Sequence, residues 1–479
     1  MNLKKLNSIF YLHKKLFLSL IIFFTIFFIL GLPFTRWAPY KDDYGNLYRS
    51  RAKNFTEFCD FFIHGDTETI CLGCYENNQS FLQAYYRPML FVYTFVQKYF
   101  FGLNYYYFYL FMIFIHAINS VIIFNIFIYF LGYFLAFLAS LYFAFHPSLN
   151  NWLGWFGGLQ FHMHLLLFLL SIIFLKKYLD SQKIYFYIIS CFFYLINIFS
   201  GELPIIMPIW VTLAIYIYQD LILKNKINFL KKLLISFKNS LNFWFISIFY
   251  IITKLYLYPF RLDVQKYTYY QQDLKFIIFN KFFNIVTCLS DFFNLSFFYC
   301  SGQRILKSFF IFYLIIFIAF LFYENKNKKI LIFLFLSTII FLWPIILIKY
   351  CNRYIYLALT FFILAIFYCL KYFKNKKILI FILSILIIIN STYLFKVLKK
   401  RELFLYQSDQ AIKILVKKNN LDNKDLCFID LPKDRFCEGF TQALKLYFDN
   451  KSNNLSFGEN KTVITWDYKN NNFVILNKN

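Results

Sequence analysis

The stretch LFLSLIIFFTIFFILGLPFTRWAPYKDDYGNLYRS, residues 16–50, decides how this chain is placed. Its first part, residues 16–34, is apolar and close to the length of about 20 residues that a membrane-spanning helix needs. Lysines precede this run and no A-x-A cleavage site follows it, so we interpret it as an anchor with a cytoplasmic N-terminus rather than a signal peptide. Two adjacent acids, Asp42 and Asp43, then follow within a few residues of the predicted membrane surface.

The composition is that of a polytopic membrane protein. Of the 479 residues, 60% are hydrophobic, with 70 Phe and 40 Tyr among them, and long apolar runs recur along the chain. The formal net charge of +26 is concentrated in short lysine-rich connections between these runs, which is the positive-inside pattern. The expected partner of these charges is therefore the anionic membrane leaflet and not nucleic acid.

The apolar runs after the anchor predict further spans, for a total of about eleven. They lie at about 105–128, 131–146, 160–176, 184–200, 203–222, 239–258, 307–323, 330–349, 354–371 and 377–396. Residues 35–104 then form the first extracytoplasmic loop. Lysine-rich connections such as "KKYLDSQK" fall inside, and the C-terminus is extracytoplasmic.

Segment 274–300 is ambiguous because it is apolar but interrupted by Lys281, Asp291 and several asparagines. A charge at mid-membrane costs about 2.5–3.5 kcal/mol on insertion scales. If the segment spanned, the basic run 324–329 would lie outside. If it lies on the outer surface as an amphipathic helix, within 259–306, that run stays inside. We adopt the surface interpretation.

The tail, residues 397–479, changes character. "DLCFIDLP" and "NFVILN" have strand patterns, and "EGFTQALKLYF" has a helical one. The predicted fold is therefore an all-α polytopic membrane domain over residues 1–396, followed by a small extracytoplasmic α/β domain over 397–479.

Polar residues collect at the outer ends of the predicted spans, where charges near hydrocarbon indicate function. They are Arg87, His116, Asn119, His146, His162, His164, Glu202 and Arg353. Each has a structural alternative. The arginines can be snorkelling anchors, His116 and Asn119 can form interhelical hydrogen bonds, and His146 and Glu202 can cap helix ends. His162 and His164 diverge by about 200° on a helix, which disfavours a shared metal.

The outer loop contains Cys59, His64, Cys71 and Cys74. Outside the membrane a disulfide within the cysteine trio is favoured over zinc, and Cys427 can pair with Cys437 in the tail. No Gly-rich phosphate loop, GxSxG or Walker sequence is present, which argues against nucleotide hydrolysis.

The ordered set of motifs resembles the GT-C superfamily of glycosyltransferases, in the style of the protein O-mannosyltransferase and aminoarabinose-transferase group. The set consists of the acidic pair, "YYRPML", "FAFHPSLNNWLGWFGG", "SGELP" and "NRYIYLA", and it covers about 35–360. The resemblance implies a polyprenyl-phosphate sugar donor, a lipid, glycan or protein acceptor, and a bacterial inner membrane as the location.

The resemblance also implies roles for particular residues. Asp42 and Asp43 match the catalytic acid of the first outer loop, with Asp42 as the base and Asp43 as its support. The residues matched to substrate binding are Arg87, His146, Glu202, Arg353 and Tyr354. In "SGELP", Gly201 replaces the commoner lysine before the glutamate, which puts the role of Glu202 in doubt. No residue is assigned to a metal, and participation of a divalent cation stays open.

The chemistry fits these residue types independently. Transfer of a sugar from a lipid phosphate needs a base for the acceptor proton and cations for the leaving phosphate. The predicted function is therefore a membrane glycosyltransferase. A transporter or flippase of a lipid-linked saccharide, and a lipid-linked polymer ligase, are the alternatives.

Overall fold

The computed structural model is mostly α-helical in the part of the chain that it describes. The described residues are 3–39, 42–50, 52, 54–63, 87–149, 153, 155–221, 228–257, 328–342, 356–372, 376–418, 426–429, 462–467 and 472–476. The helices are α1 (Leu3–Ile26), α2 (Asp42–Arg49), α3 (Phe55–Ile63), α4 (Pro88–Phe101), α5 (Tyr105–Leu131), α6 (Tyr133–Ala144), α7 (Leu159–Ser181), α8 (Ile184–Phe199), α9 (Met207–Leu221), α10 (Phe229–Leu257), α11 (Lys328–Phe341), α12 (Tyr356–Lys371) and α13 (Lys376–Lys418).

Apolar helices support the assignment as a membrane protein. Five helical stretches are long and apolar enough to cross a bilayer: Leu12–Gly31, Tyr105–Leu131, Phe156–Ser181, Phe229–Tyr256 and Ile380–Lys413. Shorter apolar helical stretches cover Tyr133–Leu149, Ile184–Phe199, Leu203–Gln219 and Tyr356–Lys371. Each predicted span within the described residues coincides with a helix. Span 307–323 and the surface segment 259–306 lie outside them, so the number of spans stays a prediction.

The first of two compact units is a helix bundle made of Met1–Gly31, Ile113–Asn151 and Phe161–Phe395. In it α9 packs against α10 and α11, and α12 packs against α6 and α11. Phe168, Trp210, Phe341 and Phe361 form an aromatic core, in which the rings of Phe341 and Phe361 stack at 5.4 Å. Gly132, with φ of 78°, allows the turn between α5 and α6 that a β-carbon would strain.

The second unit comprises Leu32–Met112, Trp152–Gln160 and Lys396–Asn479. Here α2 packs against α4 and against the 3-10 turn Phe156–Gly158, and α3 packs against α4. The chain leaving the first span is held by aromatic contacts. Trp37 stacks on Tyr109 with ring centroids 4.3 Å apart, and Phe34 packs edge-on against both rings.

Helix α13 continues through the boundary predicted between residues 396 and 397 as one helix of 43 residues. The apolar run ends near this point, but the helix does not. Its later part is amphipathic and buries Leu398, Leu405 and Ile412, which explains why apolar length alone underestimates it.

Three strands follow in the tail: β1 (Leu426–Ile429), β2 (Thr462–Asp467) and β3 (Asn472–Leu476). β2 is central, parallel to β1 with Leu426 opposite Thr462, and antiparallel to β3 with Asp467 opposite Asn472. β1 and β3 coincide with the two segments predicted as strands. The helix predicted over 438–448 lies outside the described residues, so a separate α/β domain stays a proposal.

Candidate functional site

The acidic pair opens helix α2 directly after the first span. Asp42 is the first residue of α2, and its side chain is not among those described. Asp43 is buried, with 1% of its surface exposed. Its Oδ2 accepts a hydrogen bond from the Phe156 backbone N–H at 3.1 Å, and its Oδ1 accepts one from the Gly157 N–H at 2.9 Å. Asp43 is therefore not a solvated loop charge.

The turn that binds Asp43 depends on glycine and on aromatic packing. A β-carbon at Gly157 would lie only 2.5 Å from the nearest ring carbon of Trp155. The Phe156 ring packs against Tyr105 and Phe108, with centroids 5.9 and 5.5 Å away. These contacts fix the two N–H groups that the Asp43 carboxylate needs, and charge-assisted bonds of this kind are stronger than neutral ones.

Tyr44 attaches the same helix to the C-terminal part of α13. Its hydroxyl donates to Asp409 Oδ1 at 3.0 Å, and Asp409 Oδ2 pairs with Lys413 Nζ at 2.7 Å. Burial raises the pKa of Tyr44 well above its ordinary value of 10.0, and the negative charge of Asp409 raises it further. The phenol therefore stays a neutral donor to the carboxylate.

The C-terminal end of α2 is held by a lysine. Lys98 of α4 donates from Nζ to the Leu47 backbone carbonyl at 3.2 Å, and the Ser50 hydroxyl donates to the same oxygen at 3.3 Å. A cation at a helix C-terminus is favourable because the last carbonyls lack partners within the helix. Asp43, Tyr44 and Lys98 thus fix α2 at its start, its side and its end.

The segment that joins the first span to α2 is tied to α13 by Glu402. This side chain is 2% exposed, accepts from the Arg36 backbone N–H at 2.6 Å, and pairs with Lys399 at 2.5 Å. Lys399 also donates to the Pro33 carbonyl at 3.2 Å. Glu402 and Asp409 are not among the residues predicted from the sequence. The only signal for either is a single acid within a basic helical run, "KKREL" and "SDQAIKIL".

Arg87 and His146 have defined positions. Arg87 is half-buried at the N-terminus of α4 and makes no side-chain capping bond there. His146 is fully buried after α6, and its Nδ1 accepts the Ser148 backbone N–H at 3.3 Å. His146 therefore caps the short 3-10 turn Pro147–Leu149, which is the structural alternative that the sequence left open.

Glu202 does not cap a helix. It precedes the 3-10 turn Leu203–Ile206 without a capping hydrogen bond, and its Oε1 pairs with Lys254 of α10 at 2.9 Å. Arg353 and Tyr354 lie outside the described residues. The assignment of Arg353 and Tyr354 to substrate binding therefore stays a prediction.

A buried polar cluster lies within the helix bundle of the first unit. Nδ1 of His116 and Nδ1 of His162 each lie 2.8 Å from the hydroxyl oxygen of Tyr356. Nε2 of His116 lies 3.1 Å from the Ala144 carbonyl, and Asn119 Nδ2 donates to the His162 carbonyl at 2.9 Å. The predicted interhelical hydrogen bonds of His116 and Asn119 are confirmed. Tyr356, which joins them to α12, was missed.

His164 has a different partner from His162, as their spacing predicts. Its Nδ1 lies 2.7 Å from Asn197 Oδ1 of α8. Among the described residues, no group of three or more His, Cys, Asp or Glu is placed to hold a metal. Cys59 is a free thiol in the structure, whereas His64, Cys71 and Cys74 lie outside the described residues, so the disulfide predicted within the cysteine trio stays a prediction.

No protein-family model matches the sequence, and no curated protein matches it. The resemblance to the GT-C superfamily therefore rests on the ordered motifs and on the chemistry of the residues. The anchored helix α2 is the candidate site, because it carries the acidic pair to which that resemblance assigns catalysis.

Proposed function

We propose that the chain is an integral membrane glycosyltransferase of the GT-C type. It transfers a sugar from a polyprenyl-phosphate donor to a lipid, glycan or protein acceptor on the extracytoplasmic side. In this proposal the chain has about eleven spans, a cytoplasmic N-terminus and a small extracytoplasmic C-terminal domain. The observation that carries the proposal is the anchoring of α2, which fixes the backbone of Asp42 directly after the first span.

The two acids have different roles in this reaction. Both carboxylate oxygens of Asp43 already accept backbone N–H groups, and the side chain is buried, so Asp43 supports the site. Asp42 is the general base that removes the acceptor proton. The acceptor oxygen then bonds to the sugar carbon, the bond from that carbon to the phosphate oxygen breaks, and the phosphate leaves with the electron pair. A rigid scaffold for the base favours this step, because catalytic groups must be held close to their reacting geometry.

The remaining matched residues belong to the donor side of the proposal. Arg87 and Arg353 bind the phosphate, since planar guanidinium groups suit phosphate oxygens, and Tyr354, next to Arg353, is matched to substrate binding as well. His146 supports the fold as the cap of the turn Pro147–Leu149. Lys254 supplies a cation 2.9 Å from Glu202. The commoner sequence has a lysine where this chain has Gly201. Lys254, which belongs to another helix, supplies the positive charge that such a lysine would bring. This pairing supports a role for Glu202 in orienting that cation.

A transporter of a lipid-linked saccharide is the second candidate. The observation that favours it is the buried cluster of His116, His162 and Tyr356, because ionisable groups within apolar helices mark proton pathways in transporters. A transporter would move the intact donor across the membrane, whereas a transferase cleaves it.

The two candidates are separated by following a labelled sugar. Sealed vesicles containing the chain are supplied with polyprenyl-phosphate sugar labelled in the sugar, with or without a chelator of divalent cations. The proposal expects the label in a new lipid, glycan or protein product that empty vesicles do not form. Intact donor that changes leaflets without entering any product would replace the proposal with the transporter.

A further inference from the structure

The hydrogen-bond network of the buried cluster determines which ring nitrogens carry hydrogen. The Ala144 carbonyl can only accept, so Nε2 of His116 carries a hydrogen and donates to it at 3.1 Å. In the neutral imidazole, Nδ1 of His116 is then bare and accepts the Tyr356 O–H at 2.8 Å. The Ala144 carbonyl therefore determines which nitrogen of His116 donates and which accepts.

The same reasoning fixes the second imidazole. The Tyr356 hydroxyl has a single hydrogen, which it donates to His116, so it can only accept from His162. Nδ1 of His162, 2.8 Å away, therefore carries the hydrogen, and Nε2 of neutral His162 is left with a bare lone pair. His162 is fully buried, and this Nε2 has no hydrogen-bond partner in the part of the chain that the structure describes.

A second acceptor at the cluster is also unsatisfied. The Asn119 amide donates to the backbone carbonyl of His162, while its Oδ1 is buried without a partner among the described residues. Buried polar groups are normally paired, and an exception requires an explanation such as a functional role or a bound water. Both unsatisfied atoms are acceptors, so what the cluster lacks is a hydrogen-bond donor.

We propose that the cluster is a proton-accepting site and that His162, Tyr356 and His116 form a proton-transfer chain inside the helix bundle. A hydronium ion gives a proton to Nε2 of His162 and leaves as water. The Nδ1 proton of His162 passes to the Tyr356 oxygen, and Tyr356 gives its own proton to Nδ1 of His116. His162 ends neutral with hydrogen on Nε2, Tyr356 ends neutral, and one positive charge has moved to His116, whose Nε2–H still donates to Ala144.

The surroundings of the cluster suit this transfer. The titratable groups that meet in it are the two imidazoles, from α5 and α7, and the phenol from α12. From α6 it is packed by Phe143, whose ring lies 5.7 Å from His116 and 5.3 Å from Tyr356. The proposal does not depend on the glycosyltransferase assignment, because it rests only on contacts within the first unit.

The test is nuclear magnetic resonance of the full chain in lipid nanodiscs, with labelled histidine rings and labelled tyrosine. His116 and His162 contact one and the same tyrosine, Tyr356, which distinguishes them from His146, whose ring packs on Tyr142 at 5.6 Å. Of the two imidazoles at Tyr356, one is expected with hydrogen on Nε2 and the other with hydrogen on Nδ1. The exposed His13 gives the reference signal. The same tautomer for both rings would overturn the proposal without any variant.

Acidification then tests the transfer. In the wild type both rings are expected to change their nitrogen shifts together, because they share one proton. In Tyr356→Phe the His162 signal is expected to change alone, and in His162→Gln the change at His116 is lost. A bare His162 Nε2 that persists at every pH at which the protein stays folded would overturn the proposal. So would coupled changes that survive in Tyr356→Phe.

Discussion

At the scale of single residues, the two neighbouring aspartates differ in what surrounds them. Asp43 is buried and bonded through both oxygens to backbone N–H groups of a turn more than a hundred positions later in the chain. Asp42 is the residue before it, at the first position of α2. Substitutions at the two positions should therefore affect different properties of the protein.

Asp43→Asn is expected to destabilise the protein. The amide keeps one acceptor oxygen, but its NH₂ group faces a backbone N–H, which leaves a buried donor unsatisfied at a cost of about 1–3 kcal/mol. The measurement is the thermal midpoint of the purified protein. Asp180→Asn is the matched control, because its ion-pair partner Lys176 is 53% exposed and such surface pairs contribute only about 0–1 kcal/mol. The Tyr218 hydroxyl that donates to Asp180 at 2.6 Å can also donate to the amide oxygen. Equal midpoints for Asp43→Asn and Asp180→Asn would refute the anchoring role.

The stability of Tyr44→Phe should fall less steeply than that of the wild type as the pH becomes alkaline. The pKa of Tyr44 is raised in the folded protein by burial and by Asp409, while in the unfolded chain a tyrosine ionises near 10.0. The contribution of Tyr44 to the free energy of unfolding is therefore fully present below pH about 10. It is lost as the pH rises toward the pKa that Tyr44 has in the folded protein. The variant, which lacks one hydrogen bond, should be less stable at neutral pH by about 0.5–1.5 kcal/mol.

The comparison that checks this is the thermal midpoint as a function of alkaline pH for both proteins. With 40 tyrosines in the chain, only the difference between wild type and Tyr44→Phe isolates this residue. If the thermal midpoints of the two proteins fall in parallel with pH, the ionisation of Tyr44 does not affect stability.

Sequence reasoning found the acidic pair but not its partners. The pair could be located because it follows an apolar run and precedes an ordered set of motifs. The bonds of Asp43 go to main-chain N–H groups, which every residue except proline carries, so no side-chain pattern predicts them. Tyr356 was missed for a related reason, since one tyrosine among 40 gives no signal until α12 is placed beside α5 and α7.

At the scale of elements, the short helix α2 is fixed by a turn, by α13 and by α4. The turn Phe156–Gly158 holds it through Asp43, and α13 holds it through Tyr44. The carbonyl of Leu47 receives Lys98 from α4. This explains why eight residues form a stable helix although isolated helices shorter than about 12–15 residues are marginal in water.

Gly157→Ala is expected to disrupt this attachment. The new methyl group would meet the Trp155 ring at 2.5 Å, so either the ring or the turn must move, and overpacking of this kind costs about 1–3 kcal/mol. The thermal midpoint should fall. When Gly157→Ala is added to Trp155→Leu, the thermal midpoint should be nearly the same as that of Trp155→Leu alone. Additive effects of the two changes would mean that the glycine is not required by the ring.

Two elements, the C-terminal part of α13 and strand β2, were not predicted from sequence patterns. Apolar runs located the apolar helices in the described part of the chain, five of which are long enough to cross a bilayer. They placed the end of the last span at 396, where α13 continues as an amphipathic helix to Lys418. β2 was not predicted, although "TVITWD" is rich in β-branched and aromatic residues, because its alternation is short and the segment lies between polar runs.

At the scale of the whole molecule, the topology decides which side of the membrane carries the acidic pair. The proposed topology, with about eleven spans and a cytoplasmic N-terminus, puts the end of α13 outside. Reporter enzymes fused after Lys418, beyond the end of this helix, should be active only when exported. Fusions after Ser181, between α7 and α8, are the internal control and should be active in the cytoplasm. Cytoplasmic activity after Lys418 would mean an even number of spans, with segment 274–300 as the added one.

The central claim is that Asp42 is the base of a sugar transfer. The most direct measurement is the rate of transfer from a labelled polyprenyl-phosphate sugar by wild type and by Asp42→Asn, together with binding of the labelled donor to each protein. The amide keeps the shape of the side chain and removes its basicity. The rate should fall by at least about a hundredfold, the low end for general-base catalysis, while donor binding persists. Transfer by Asp42→Asn at a near wild-type rate would contradict the account.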